Sequence, residues 1–266
     1  MARAISALTF AVAGFAAAGC GDSSLSFGND PAFIWWTDHE TGDLSDWTGG
    51  ASPGGFILQG HSRVEVVKGI ARSGDYALHV QDDSPDMRDF PLAARNGPLP
   101  VEVYCSAWYF LPEPLRPKKY WWFMLFRSRE PGANPDFRDE IALSFTSLPD
   151  GSVGMRVNRR SPMLPPDSTE LDESVAPDLD LPVPIAQWFQ IEVFHRTGTD
   201  DSGHLTVWQD GKLTFDLAGR NSLNNHAEWM VGGVVDALTT TASELYIDDA
   251  AITNRRIGPL PPFTRQ

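Results

Sequence analysis

Short runs of β-branched and aromatic residues, each stopped by Gly, Pro, Asn or Asp, follow one another along this 266-residue chain, and almost no stretch repeats with helical period. In an extended strand successive side chains point to opposite faces, so such a chain buries its apolar residues only by laying one sheet on another. An antiparallel sandwich or barrel is therefore expected. The runs place strands near 33–39, 56–60, 63–68, 76–82, 101–111, 120–127, 139–147, 152–157, 187–197, 203–209, 212–216, 229–235 and 243–253. Pro149-Asp150-Gly151 marks one hairpin, and the Asp210-Gly211 turn between Leu205-Thr206-Val207-Trp208 and Leu213-Thr214-Phe215 marks another. Twenty-one prolines suit this reading, since proline is excluded from helix interiors and central strands. Six of them crowd into 159–184 together with six acids. That segment reads as a long surface loop flanking a groove or as a disordered insertion.

Alternation also sorts residues by face. In Trp188–Arg196, Phe189, Ile191, Val193 and His195 share one side, while Gln190, Glu192, Phe194 and Arg196 share the other. Ile141, Leu143 and Phe145 point inward in the same manner, and Cys105 alternates with Val103 and Ala107 as a buried thiol. Trp35-Trp36 and Tyr120-Trp121-Trp122 put adjacent indoles on opposite faces, one of each pair for the core and its neighbour for an open face. Sugars stack on such exposed rings and bond to flanking amides and acids.

The chain opens on MARAISALTFAVAGFAAAGC. After Arg3, the apolar stretch from Ala4 to Ala18 is shorter than the ~20 residues a bilayer span needs. Ala17-Ala18-Gly19-Cys20 resembles the lipobox of bacterial lipoproteins, which implies diacylation of Cys20 after removal of residues 1–19. An ordinary secretory cleavage after Ala18 is the alternative. Residues 20–32 then form a polar tether, 33–258 the folded body and 259–266 a tail. The implied location is the cell envelope, with the membrane reached through the lipid alone; Gly21 stands where an aspartate would favour inner-membrane retention, so the outer membrane is expected in a two-membrane cell. A net charge of −14 disfavours nucleic acid as a partner. The charge is uneven: residues 116–160 hold nine Lys or Arg against five acids. This reads either as a solvated face or as an anion-tolerant groove. With Cys20 lipidated, Cys105 has no disulfide partner.

The segments Glu40-Thr41-Gly42-Asp43-Leu44-Ser45-Asp46-Trp47, Ala71–Val80, Gly203–Gly211 and Leu245–Ile252 occur in an order that resembles the concanavalin-like jelly roll of the heparin-lyase-like polysaccharide lyases and related carbohydrate-binding modules. The resemblance covers roughly residues 33–258 and implies a two-sheet antiparallel jelly roll. It further implies that the first and last strands meet, bringing Glu40 and Asp248 together as candidate ligands of a structural Ca²⁺, with carbonyls near Gly74 completing the shell and Asp43 or Asp249 as substitutes. Asp248 and Asp249 read equally well as solvated or turn-capping acids.

For β-elimination on a uronate polymer, one group must neutralise the carboxylate and others must move protons. Arg88, Gln190 and His195 are the candidates, but no Gln-X-His or late Tyr-X-Lys pattern accompanies them, and the parity of His195 puts it with core residues. A glucanase-like E-X-D-X-E strand fails because Gln190 and Phe194 flank Glu192. The reading is therefore polysaccharide recognition on an open sheet face by Trp121, Trp122, Arg127, Gln190 and Arg196, with a polysaccharide lyase as the alternative and a structural envelope lipoprotein as the third.

Overall fold

The computed structural model describes residues 30–49, 54–83, 89–97, 99–118, 120–129, 138–160, 181–219, 221–222, 227–235, 238–239 and 242–259. The signal, Cys20, most of the tether, Arg88, most of the 159–184 loop and most of the tail lie outside them. The elements run β1 (Phe33–Thr37), α1 (Ser45–Thr48), β2 (Gly54–Leu58), β3 (Arg63–Lys68), β4 (Tyr76–Asp82), β5 (Leu92–Asn96), β6 (Glu102–Phe110), β7 (Trp121–Arg129), β8 (Arg138–Ser147), β9 (Val153–Arg160), β10 (Trp188–Arg196), β11 (His204–Gln209), β12 (Lys212–Ala218), β13 (Glu228–Val235) and β14 (Ser243–Thr253). Each expected strand is present. Only β5 was not foreseen, because Leu-Ala-Ala-Arg-Asn carries no β-branched or aromatic residue.

Two antiparallel sheets form the body. One has the order β12-β11-β10-β6-β14-β4-β3 with β1 paired to β14, and the other the order β2-β5-β13-β7-β8-β9. The core lies between them, built on Trp47, Trp121, Trp229, Tyr109, Phe123, Phe145 and Phe189, none of which is exposed by more than 1 %. Trp35, Trp47 and Trp229 form a tight trio with ring centroids 4.7 to 6.0 Å apart. Beside them the buried Arg95 guanidinium donates to the carbonyls of Asp46 (3.2 Å), Trp47 (2.7 Å) and Gly49 (3.1 Å), closing the end of α1. Burial lowers its pKa to about 10.

A bulge between Trp122 and Met124 decides which indole of the β7 pair enters the core. Trp121 turns inward and its Nε1–H donates to the Gly232 carbonyl (2.9 Å). This is possible because β13 is itself irregular there: Gly232 has φ +119°, and a Cβ on Gly233 would stand 2.9 Å from Trp121 Nε1. Trp121 is thus a packing residue, which corrects its assignment to a binding face.

Candidate functional site

The outer face of β13, β7, β8 and β9 is ordered in three cross-strand rows. The first aligns Glu228, Arg127, Glu140 and Arg160; the second aligns Met230, Leu125, Ala142 and Asn158; the third aligns Val234, Trp122, Ser144 and Arg156. These are the strands into which the basic segment 116–160 folds. In the first row Arg127 donates through Nε (2.9 Å) and Nη2 (2.7 Å) to one oxygen of Glu228, both side chains being nearly buried. In the second and third rows the Ser144 hydroxyl donates to the Asn158 amide oxygen. Tyr120, immediately before β7, stacks on Trp122 with centroids 5.0 Å apart and an interplanar angle of 23°. Leu92, Ala94, Trp122, Leu125, Ala142, Met230 and Val234 form the apolar centre of this face, with Phe56 and Tyr120 packed against it.

Arg156 is half-buried beside the Ser144–Asn158 pair. Ser144, Asn158 and Trp122 are buried, Trp122 at 3 % exposure, which corrects its expected open-face position, while Arg156 and Tyr120 above them are partly exposed. A guanidinium beside a phenol ring suits a ring-shaped ligand that carries an anionic group. Proton transfer is less well served. The six strands of this sheet contain no His, Lys or Tyr, so Tyr120 at the start of β7 supplies the phenol closest in sequence. The sequence reading had Trp122 and Arg127 but not Glu228, Ser144 or Asn158. The parity that Arg156 shares with Asn158 was the available signal; which strands neighbour one another was not.

The remaining candidates lie elsewhere. Gln190 and Arg196 project from β10, in the other sheet, and so do not share a face with Trp122 and Arg127. Gln190 is buried, its Nε2 donating to the Gly258 carbonyl (2.8 Å). Next to it Glu192 accepts from the backbone N–H groups of Ile257 (2.8 Å) and Gly258 (3.1 Å) and from Arg256 Nε (3.2 Å). The Arg256 guanidinium sits 4.2 Å from the Trp208 ring centroid, so residues 256–258 lie across this part of the sheet. Arg196 makes an exposed ion pair with Glu102 (2.7 Å). His195 is inside the sandwich, stacked on Phe126 with centroids 4.4 Å apart, and neither ring nitrogen has a hydrogen-bond partner. Burial drives its pKa down to about 3, which removes it as a base reaching substrate. Farther across the same sheet's outer face, His79 stacks on Tyr246 (4.7 Å) and bonds to Glu244 (2.9 Å).

Glu40 and Asp248 each bind a different part of the turn 72–76, and the turn presents N–H groups to both. Asp75 N and Tyr76 N donate to Glu40 Oε1, both at 2.8 Å. Arg72 N (2.9 Å) and Ser73 N (3.1 Å) donate to Asp248 Oδ2, while Asp249 N (2.8 Å) and His39 Nδ1 (3.2 Å) reach Oδ1. Gly74 takes φ +60°, a conformation that favours glycine, and a Cβ there would displace the Glu40 carboxylate from these donors. Asp43 lies apart, accepting from Ser45 N (2.9 Å). Ca²⁺ needs about six to eight oxygen ligands. Among the described residues no three His, Cys, Asp or Glu side chains are grouped as a metal centre would need. A carboxylate whose two oxygens already accept four N–H groups does not fit that ion, and the proposed ligand set of Glu40 and Asp248 is corrected accordingly.

No family model matches the sequence, and no curated protein matches it significantly. Solved structures do resemble the fold. The endo-β-1,4-glucuronan lyase of the fungus Trichoderma reesei superposes with a TM-score of 0.66 at 14% identity, over 87% of this chain and 100% of the other. Alginate lyase vAL-1 from a Chlorella virus gives 0.58 at 11% identity, over 84% and 100%. The cellulose-induced protein Cip1 gives 0.56 at 16% identity, over 84% and 98%. At such identities the likeness speaks for architecture alone, and the architecture is that of a two-sheet antiparallel jelly-roll sandwich.

Proposed function

We propose that this chain recognises anionic polysaccharide on the outer face of β7, β8 and β9, as the body of a lipoprotein anchored in the bacterial envelope through Cys20. One observation carries the reading: Arg156, the Ser144–Asn158 pair and the Tyr120–Trp122 stack stand on neighbouring strands of one face, within the segment that concentrates basic residues on an acidic chain. Glucuronan and alginate, the polymers named for two of the structural neighbours, are the natural probes. The lyase alternative draws on the same neighbours and on the Tyr120 phenol, and it is disfavoured by the lack of His, Lys or Tyr in the sheet's own strands.

The test is retardation of the protein in gels containing glucuronan, alginate or a neutral glucan, alongside an absorbance assay for unsaturated uronate. Retardation by a uronate polymer without product is expected. Arg156→Ala should weaken it by about tenfold, the order of one hydrogen bond to a charged group, and Tyr120→Ala should weaken it as well. Release of unsaturated product would replace recognition by elimination, and retardation by neither class would refute both.

A further inference from the structure

We infer that the guanidinium of Arg72 is a built-in cation of this fold, balancing the Asp248–Asp249 pair in the way a bound calcium ion would, so that the folded body has no need of calcium.

The starting point is an irregularity in β14. Its pairing with β6 shifts between Asp248 and Ala251, and Asp249 takes φ +45°. Regular alternation would send neighbouring side chains to opposite faces. Here both carboxylates instead turn toward residues 72 and 73, and both residues are at most 1 % exposed. Two adjacent carboxylates taken out of water require compensation by charge as well as by hydrogen bonds.

Asp248 is supplied with hydrogen bonds alone, from the N–H groups of Arg72, Ser73 and Asp249 and from His39. The His39 ring brings no charge. Its Nε2 accepts from Trp47 Nε1 at 3.0 Å, and an indole N–H can only donate, so the ring's single proton is on Nδ1, facing Asp248. Asp249 receives the Ser73 hydroxyl (2.7 Å) and Arg72 Nη1. Arg72 is therefore the full positive charge among the described contacts of this pair. It is held in place from its flat side, with Trp108 3.6 Å away from ring centroid to guanidinium carbon, and its side chain is only 9 % exposed.

The same turn thus delivers a cation and a set of N–H donors to the place where an ion would need carbonyl oxygens. The arrangement is self-contained: main chain and guanidinium come from adjacent residues of one segment, and Gly74 lets that segment close against Glu40.

Thermal unfolding of the purified folded body in excess chelator and in millimolar CaCl₂ tests the inference. The wild-type curves should superimpose. Arg72→Ala should melt lower, and by the same amount in chelator and in calcium, because the N–H groups around Asp248 remain. Asp249→Asn made together with Arg72→Ala keeps the test open should the single variant fail to fold. In a double-mutant cycle the loss of Arg72 should cost at least about tenfold less in the unfolding equilibrium constant when residue 249 is uncharged; if Arg72→Ala alone is unfolded, recovery of a folded double variant carries the same meaning. A wild-type melting temperature that falls in chelator and returns with calcium would overturn the inference. So would a folded Arg72→Ala that melts with the wild type, or a cycle without coupling.

Discussion

His195→Leu should make this protein more resistant to acid. The imidazole is wholly buried against Phe126, and neither nitrogen is hydrogen-bonded. Leucine has nearly the same volume and no polar atom, so at pH 7 the exchange relieves two unsatisfied nitrogens at a repacking cost of about 1.5 kcal/mol or less. The larger effect depends on pH. With a folded pKa of about 3 against an ordinary 6.5, the native state binds fewer protons than the unfolded one between those values. The stability tied to a neutral His195 is therefore complete above pH 6.5 and drains away as the pH falls toward 3. At about 1.4 kcal/mol per pH unit, acidification to pH 5 costs the wild type roughly 2 kcal/mol that the variant does not lose. Asp249 works in the opposite sense: burial, followed by the charge of Asp248, raises its pKa to about 6. Its protonation between pH 6 and 3.8 favours the native state and offsets much of the histidine's effect. The wild-type profile alone would hide both, so the quantity to measure is the difference between wild type and variant in urea unfolding at pH 7 and pH 5. Parallel profiles would refute the buried neutral histidine.

Arg127→Ala should destabilise the protein by about 1.5–3 kcal/mol in urea unfolding, because it removes charge-assisted hydrogen bonds to the nearly buried Glu228; in a Glu228→Gln background the same replacement should cost less. Cys20→Ser should shift the full-length protein from the detergent phase to the aqueous phase in a cell-extract partition, and unchanged partitioning would exclude lipidation at that residue.

The fold was readable because strand and turn signals in this chain are local. Val, Ile, Thr and aromatic residues mark the strands, and Pro149-Asp150-Gly151 and Asp210-Gly211 mark their ends. β5 escaped because its alanines do their work only at a distance: Ala93 and Ala94 are fully buried between neighbouring strands and against both faces. The site was less legible for the same reason. Adjacent Trp121 and Trp122 were bound to face apart, yet the bulge and the facing Gly232-Gly233 pair decide which one goes inside. Gln190 and Trp122 both sit on plausible outer faces, and only the strand order separates them into different sheets. Glu40 and Asp248 both bind the turn 72–76. Whether a turn shows them carbonyls or N–H groups depends on backbone angles, which residue names do not specify.

The pairing of the first strand with the last gives the body a particular response to mechanical load. Tension arriving from the N-terminal side enters at Asp30, which is tied to Arg255 (2.8 Å), and passes next to Ala32, whose carbonyl accepts from Asn254 N (2.9 Å). β1 then pairs with β14 antiparallel, Phe33 opposite Thr253 and Trp36 opposite Ala251. Under a load directed across the β1–β14 ladder these contacts fray one at a time from the chain's leading end. The fraying meets resistance at Trp35, whose indole is wedged against Trp47 and Trp229. Residues 30–34 thus act as a compliant element in series with a stiff body, and Trp35 sets the length of chain that yields before the sandwich itself bears the load.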